Sequence, residues 1–506
     1  MRIKNVRHLL KNGIIVTPTS QNRGSIFIKG SKIVKIFDLG EELPVVSKEE
    51  IVDCTDCFIL PGIIDPHVHL RDFKQSHKET IESGTRAAGM NGITTVLGMP
   101  NTTPPLDSID NIKSYITKIK ETTHCNVGLY SRLPQKDVQN YFHDLNKIGI
   151  FGIKIYPGDS PSILNWGLLL DLWDKLKEKF NEYTHDLDEF LHKLDVHLDH
   201  HYSKSQLKNY AEKWSTILAE IEKHKLHVLF HADVPLDEKT REIRFKTFEG
   251  IHKSELKAHS ANHSKLQELL HIYFVFQVIK LTGLAKLPPI TFCHVSSIET
   301  IHLIQKLQSR IPEKKIFIEI TPHHMYLHNE IEIPIPSHGK VLPPLRTVTD
   351  NLEIQKLMNT TKVKNAFYGT DHAPHSLEEK NQEFVKTPPG FPSLDVYSIF
   401  VLSKFFENGW NLQNFVFYAS YNPARIYQIK KKGWIHPGYD ADLLIIRKVP
   451  PYIIDKGTFQ SASKVCPYPL KDISAKIEYV FLEGKKEQSQ MKSNFIARSY
   501  KWDHAN

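Results

Sequence analysis

Apolar and polar positions change their spacing several times along the 506-residue chain, and each change marks a different architecture. Up to about residue 60, short apolar runs follow one another: Gly13-Ile14-Ile15-Val16-Thr17, Ser25-Ile26-Phe27-Ile28 and Lys32-Ile33-Val34-Lys35-Ile36-Phe37, the last two separated by a Gly30-Ser31 turn. Runs of strand length broken by turn residues predict a small β module. From Pro61 to Ile429, strand-like runs alternate with longer amphipathic stretches, as in repeated βα units around a parallel sheet. Eight such runs begin near residues 58, 93, 126, 152, 227, 290, 315 and 366, and eight βα units predict a TIM (β/α)8 barrel over 61–429.

After Lys430 the strand texture returns in Ala441-Asp442-Leu443-Leu444-Ile445-Ile446 and Ile477-Glu478-Tyr479-Val480-Phe481-Leu482. The expected fold class is therefore α/β: the barrel plus a small β-sandwich domain built from both chain termini, residues 1–60 with 430–485, and a polar tail over 486–506. Between the fourth and fifth runs, about 168–225, Leu, Trp and Phe recur at helical spacing among many Lys, Glu, Asp and His. This predicts an insertion of two or three helices over one side of the barrel.

Active sites of such barrels lie at the C-terminal ends of the strands, and those ends are rich in chemistry here. His67 and His69 end the first run, Lys154 the fourth, His231 the fifth, His294 the sixth and Asp371 the eighth. Alternation along a strand points His67, His69 and Arg71 the same way. Two neutral imidazoles so placed can grip a divalent cation, typically zinc, while the neighbouring guanidinium suits an anion. Taken singly, His294 could be a satisfied core imidazole and Lys154 could extend to the surface. Six compatible residues at strand ends instead suggest two adjacent metals, provided Lys154 can act as a ligand. An ammonium has donors and no lone pair, so that role requires a carbamate formed from the lysine amine and CO2.

Composition narrows the remaining classes. The net charge of +8 is scattered, without a basic stripe interleaved with aromatics, which argues against nucleic acid binding. No uninterrupted apolar run approaches the roughly 18 residues of a membrane span, and the N-terminal stretch lacks the pattern of a signal peptide. Five cysteines in so long a chain make no disulfide framework and fit a reducing cytoplasm. Cys54-Thr55-Asp56-Cys57 has no partner pair and reads as buried thiols in a short strand.

Several motifs together resemble the dihydroorotases of the amidohydrolase superfamily: His67-Val68-His69-Leu70-Arg71-Asp72, Met99-Pro100-Asn101-Thr102, Gly152-Ile153-Lys154-Ile155-Tyr156-Pro157 and Gly369-Thr370-Asp371-His372-Ala373-Pro374-His375. Pro388-Pro389-Gly390-Phe391-Pro392 and Asn422-Pro423-Ala424-Arg425 extend the likeness, which spans about residues 55–450 apart from the insertion. The resemblance implies two zinc ions, with His67, His69 and Asp371 on the first, His231 and His294 on the second, and a carboxylated Lys154 bridging them. Arg71, Asn101 and His375 would bind the substrate carboxylate, and backbone groups near Leu342 and Pro389 would face the ring. The implied reaction is the reversible cyclisation of N-carbamoyl-L-aspartate to L-dihydroorotate in pyrimidine synthesis, with Asp371 carrying the proton.

One departure is local: Asp72-Phe73-Lys74 stands where many long-form relatives have Glu-Pro-Gly. The rival within the class is another cyclic amidohydrolase, a dihydropyrimidinase, hydantoinase or allantoinase. A neutral ring would leave Arg71 unpaired, which disfavours these. A non-catalytic scaffold of the same fold is disfavoured because no ligand is missing. A homodimer or a complex with neighbouring pathway enzymes remains open as the partner of such a chain.

Overall fold

The structure is a computed structural model that describes residues 6–134, 138–157, 176, 187–201, 204–233, 237–311 and 315–486. The polar tail from residue 487 and most of the N-terminal part of the expected insertion lie outside the described residues. Two eight-stranded sheets carry the fold.

The first sheet joins the two ends of the chain. It contains β1 (Arg7–Val16), β2 (Gln21–Lys29), β3 (Lys32–Asp38), β4 (Ile51–Asp53) and β5 (Cys57–Pro61), together with three late strands, and is mostly antiparallel. In the second sheet eight strands run parallel in sequence order: β6 (Ile63–Val68), β7 (Ile93–Gly98), β8 (Asn126–Ser131), β9 (Gly152–Ile155), β10 (His227–Phe230), β11 (Ile290–Phe292), β12 (Ile316–Ile320) and β13 (Ala366–Tyr368). The late strands of the first sheet are β14 (Leu443–Tyr452), β15 (Ile473–Leu482) and β16 (Lys485–Lys486). Strand β5 sits centrally in that sheet, parallel to β1 and antiparallel to β14.

Side-chain alternation gives this terminal sheet two buried faces. Val16, Leu60, Leu444 and Ile446 join the barrel core, whereas Ile15, Ile59, Leu443 and Ile445 join a separate core with Ile26, Ile28 and Phe481. The sheet rolls over that second core until its two turns meet. Gly484, at φ +76°, lies so near the Gly30 carbonyl that a Cβ would stand 1.9 Å from its oxygen. Cys54 and Cys57 are buried here, and burial pushes the Cys54 thiol up to about 12, which keeps it an unreactive thiol.

The apolar run at residues 58–64 is divided between the two sheets. Strand β5 ends at Pro61 and β6 starts at Ile63, with Gly62 as the joint. The Gly62 N–H donates to the Asp442 carbonyl at 2.8 Å, and a Cβ at Gly62 would collide with Thr94 Oγ1 at 2.2 Å. The barrel closes where the β6 end meets the segment after β13, through the Val68–His372 bridge and a 2.8 Å bond from His69 N–H to the His372 carbonyl. Asp65 reinforces this seam by accepting from the Thr370 N–H at 3.0 Å and its hydroxyl at 2.6 Å. Ile64, Leu97, Tyr130, Leu229 and Phe367 fill the interior. Tyr427 packs against His227 with ring centroids 4.8 Å apart, and against Tyr130 and Phe367.

Helices Leu187–His201 and Lys204–Lys223 occupy the described part of the expected insertion. Trp214, Leu218 and Ile221 of the second helix are buried in the main core, and that helix packs on Lys265–Thr282, on Val138–Ile148 and on β10. It is thus the outer helix of the fourth βα unit and part of the barrel's own wall.

Candidate active site

Strand ends β6, β9, β10, β11 and β13 bring their polar residues to one cavity of about 140 Å³. His67, His69, Arg71, Asn101, Lys154, His231, His294, Leu342, Asp371 and Pro389 all line it. His375, expected beside them, is not in the lining. Arg71, His294 and Asp371 have φ of +53°, +40° and +48°. Left-handed backbone costs non-glycine residues roughly 1–2 kcal/mol each, a strain that clusters where side-chain aim matters more than local stability.

Around Asp371, each imidazole is oriented by a second acceptor. Nε2 of His67 and Nε2 of His69 both stand 3.1 Å from Asp371 Oδ1. His67 Nδ1 donates to Glu319 Oε1 at 2.6 Å, and His69 Nδ1 donates to Asn101 Oδ1 at 2.6 Å. These bonds hold the Nδ1 protons away from Asp371 and turn the Nε2 atoms toward it, where a cation could take the place of a proton between them. Donors around one tetrahedral zinc are separated by about 3.3 Å, given bonds near 2.0–2.1 Å, so the observed spacing fits a shared cation. Ligand atoms of His67, His294 and Asp371 also lie within 4.8 Å of one another.

The charge states agree with this arrangement. Burial opposes ionisation of Asp371, but His67 and His69 hold its carboxyl well below the usual range. Burial lowers His69 to about 4, which leaves it neutral near pH 7. Burial also acts to lower His67, yet Glu319 and Asp371 on either side hold it well above its ordinary value. A divalent cation at His67 Nε2 would take the place of that proton.

The side formed by Lys154, His231 and His294 differs. Lys154 is fully buried, and neither its Nζ nor His294 Nδ1 has a hydrogen-bond partner among the described residues. Its Nζ lies among imidazoles, 5.6 Å from the Tyr156 ring centroid. Burial and Lys154 push His231 down to about 3; burial, His231 and Lys154 hold His294 well below its usual range. His231 and His294 pack edge to face at 4.4 Å between centroids. Neutral imidazoles beside an unpartnered buried amine suit metal ligation, because a carbamate on Lys154 would turn an orphaned donor into two acceptor oxygens.

Arg71 is also buried, and among the described residues no carboxylate lies within ion-pair distance of it. Its contacts are the Pro374 carbonyl at 3.4 Å and His375 Nε2 at 3.5 Å. Burial, Arg71 and Lys78 push His375 down to about 3, so it is neutral. Its Nδ1 faces both Glu379 Oε2 at 3.2 Å and Lys78 Nζ at 3.4 Å. His375 thus stands next to Arg71, outside the residues that line the cavity. Asn101 spends its carbonyl oxygen on His69, which leaves its amide N–H groups for a ligand.

Sequence reasoning missed Glu319. Glu319 is fully buried, and its Oε1 accepts from both His67 Nδ1 and the His294 N–H, the latter at 3.1 Å. Its signal was available: an acidic residue in the otherwise apolar strand Ile316-Phe317-Ile318-Glu319-Ile320. Carboxylates are rarely fully buried without a partner. The departure at Asp72 has a local account, since its carboxylate accepts from Phe73 N–H at 2.7 Å and Ile81 N–H at 2.9 Å, closing the loop after Arg71.

The sequence profile of the Amidohydrolase family matches residues 58–485, and the chain belongs to that family. Membership makes it a hydrolase of the amidohydrolase type. Its relatives include the dihydroorotase of Methanosphaera stadtmanae, 27% identical over 426 residues and covering 84% of each chain. The dihydroorotase of Ehrlichia chaffeensis is 26% identical over 483 residues, 94% of this chain and 93% of its own. Among solved structures, the L-hydantoinase (dihydropyrimidinase) from Arthrobacter aurescens shares the fold with a TM-score of 0.76 at 19% identity, over 97% of both chains. The dihydropyrimidinase from Brevibacillus agri gives 0.71 at 18% identity, over 97% of this chain and 96% of its own. No helix among the described residues is long and apolar enough to cross a membrane.

Proposed function

We propose that this chain is a dihydroorotase, interconverting N-carbamoyl-L-aspartate and L-dihydroorotate in pyrimidine biosynthesis. The observation that carries the reading is Arg71: a buried guanidinium lining a cavity, with no carboxylate among the described residues to pair with. A substrate that keeps a free carboxylate supplies the missing anion. Charge-assisted bonds of this kind contribute roughly 1.5–3 kcal/mol each, whereas a neutral cyclic amide would leave the guanidinium uncompensated. The sequence relatives named dihydroorotase support the same choice.

Two zinc ions held by His67, His69, Asp371, His231, His294 and a carboxylated Lys154 would supply an activated water at neutral pH and polarise the amide carbonyl. Carboxylation joins Lys154 Nζ to the carbon of CO2 and releases a proton, giving the anion that a buried, unpartnered amine cannot provide. Arg71 and the Asn101 amide bind the substrate carboxylate, and His375 fixes the Arg71 fork from behind. Leu342 and Pro389 bound the space left for the ring. In ring opening the ionised Asp371 accepts the water proton and returns it to the departing amide nitrogen; cyclisation runs in reverse.

Turnover of dihydroorotate, dihydrouracil and hydantoin on one metal-analysed sample tests the assignment. Dihydroorotate should be preferred by at least tenfold in kcat/KM. Equal or faster turnover of the neutral rings would assign the chain to the hydantoinase branch.

A further inference from the structure

Lys380 is a fully buried lysine outside the metal cluster, and its ammonium has no carboxylate partner among the described residues. It is the last residue of the short helix Leu377–Lys380, in the segment leading away from Asp371 and His375. Its three acceptors are backbone carbonyls: Lys340 at 3.2 Å, Pro388 at 3.1 Å and Gly390 at 2.9 Å. The Lys340 carbonyl also receives the Gly390 N–H at 2.9 Å, so two backbone segments converge on the ammonium. Those segments carry Val341, Leu342, Pro389 and Gly390, all of which line the cavity.

Gly390 shows how tightly this wall is set. Its φ is +121°, and a Cβ there would stand 2.7 Å from both the Cβ and the carbonyl oxygen of Ala373, another lining residue. A second buried lysine, Lys340, extends the pattern by donating to the Phe384 and Val385 carbonyls at 2.7 and 3.0 Å. Burying an uncompensated ammonium is costly, and here each N–H is directed at a loop carbonyl. Three donors in tetrahedral array can hold three carbonyls from two segments at fixed spacing; a planar guanidinium could not, and a thioether has no donors.

We propose that Lys380 is a positioning residue for the substrate ring, whose ammonium sets the backbone wall formed by residues 340–342 and 388–390. The proposal rests on the reading of the cavity as the dihydroorotate site, and it adds a determinant remote from the reacting atoms. Lys380 touches neither a metal ligand nor the cavity interior. Its effect should therefore fall on substrate binding and spare metal loading.

Lys380→Ala and Lys380→Met would be compared with the wild type in the metal-loaded enzyme. KM for dihydroorotate should rise at least tenfold in both, with kcat within threefold and metal content unchanged. Propylammonium, which matches the portion deleted in Lys380→Ala, should lower its KM at least threefold and leave Lys380→Met unaffected, because methionine fills the space. Hydrogen exchange supplies a substrate-free arm: the Gly390 amide should exchange at least tenfold faster in both variants while the amides of β6 to β8 keep their wild-type rates. Unchanged KM and unchanged Gly390 exchange would overturn the proposal. So would loss of metal with faster exchange throughout the barrel and no amine rescue, the result of a merely structural lysine. If the wild type fails to turn over dihydroorotate, the functional reading fails, and the exchange arm still decides whether Lys380 holds the wall.

Discussion

Around Asp371, the imidazoles of His67 and His69 are fixed from behind by Glu319 and Asn101, whereas on the other side of the cavity Lys154 Nζ and His294 Nδ1 have no partner among the described residues. Both sides are built at strand ends of the same barrel and share the same left-handed backbone strain, at Asp371 on one and His294 on the other. They differ in what completes them. The first is organised by protein hydrogen bonds and holds its geometry without a ligand. The second buries an amine and an imidazole, Lys154 and His294, each with a polar atom that no described residue satisfies, beside the less buried His231. Preorganisation of one half and ligand-dependent completion of the other imply that the two metal positions should load unequally.

The largest test of this contrast is Lys154→Ala. Removing the bridge should empty the His231 and His294 side while the His67, His69 and Asp371 side retains part of its affinity. Metal analysis should therefore show loss of at least one equivalent, with activity reduced by roughly a thousandfold or more, since oriented metal chemistry accounts for several kcal/mol of the barrier. A short carboxylic acid in excess should restore part of both. Native mass spectrometry should find about 44 Da, the mass of one CO2, on the wild type and not on the variant. Two retained metals and ordinary turnover would remove Lys154 from the site.

Glu319→Gln probes the preorganised side. Outer partners of metal-bound histidines typically govern about 10–100-fold in metal affinity, and that range is expected here in competition with a chelator. Glu319 Oε1 also receives the His294 N–H, so the loss should reach both metals, unevenly. An unchanged affinity would mean that the His67 tautomer is fixed by other means.

The legibility of the chain follows the same division. The eight parallel strands were readable because buried strands appear as apolar runs whatever their partners, and the residues ending them could be counted off in order. Lys154 drew attention because a lysine so placed has no lone pair to offer a metal. Glu319 escaped notice because its role is defined by His67, 252 positions away, a pairing that only the curvature of the barrel creates. The division of residues 58–64 between two sheets was hidden for a related reason: the run is continuously apolar, and only the close approach of Thr94 and Asp442 at Gly62 separates β5 from β6. Likewise the helix Lys204–Lys223 reads as part of a polar insertion until Trp214 and Leu218 are seen in the core.

Arg71→Lys asks whether substrate selection is independent of both metal halves. The charge is kept and the bidentate fork lost, so dihydroorotate kcat/KM should fall about tenfold or more with metal content unchanged. His375→Ala should give a smaller loss of the same kind, because it frees the guanidinium without removing it. Altered metal content in Arg71→Lys would show that the anion site and the metal cluster are one coupled unit.

The smallest expected effect separates the two halves by the sign of their titration in metal-free protein. His67 is held well above 6.5 by Glu319 and Asp371 against the pull of burial, so the stability it contributes is fully present below the unfolded value of 6.5 and is lost as pH rises through its folded value. His231 is pushed down to about 3 by burial and Lys154, so between pH 6.5 and 3 the unfolded chain binds a proton that the folded chain refuses. Its contribution therefore falls as pH falls, with a slope of up to about 1.4 kcal/mol per pH unit for one proton. Imidazole proton resonances followed by NMR in the metal-free protein should show His67 charged at pH 6.5 and His231 neutral at pH 5. Denaturant unfolding of His231→Asn over pH 6 to 4 should show a shallower pH dependence than the wild type by about that slope. Zinc addition should then expel the His67 proton and lower still further the pH at which His69, already neutral, begins to charge. A protonated His231 at pH 5 would place the Lys154 side in a more polar setting than its burial indicates, and the contrast between the halves would disappear.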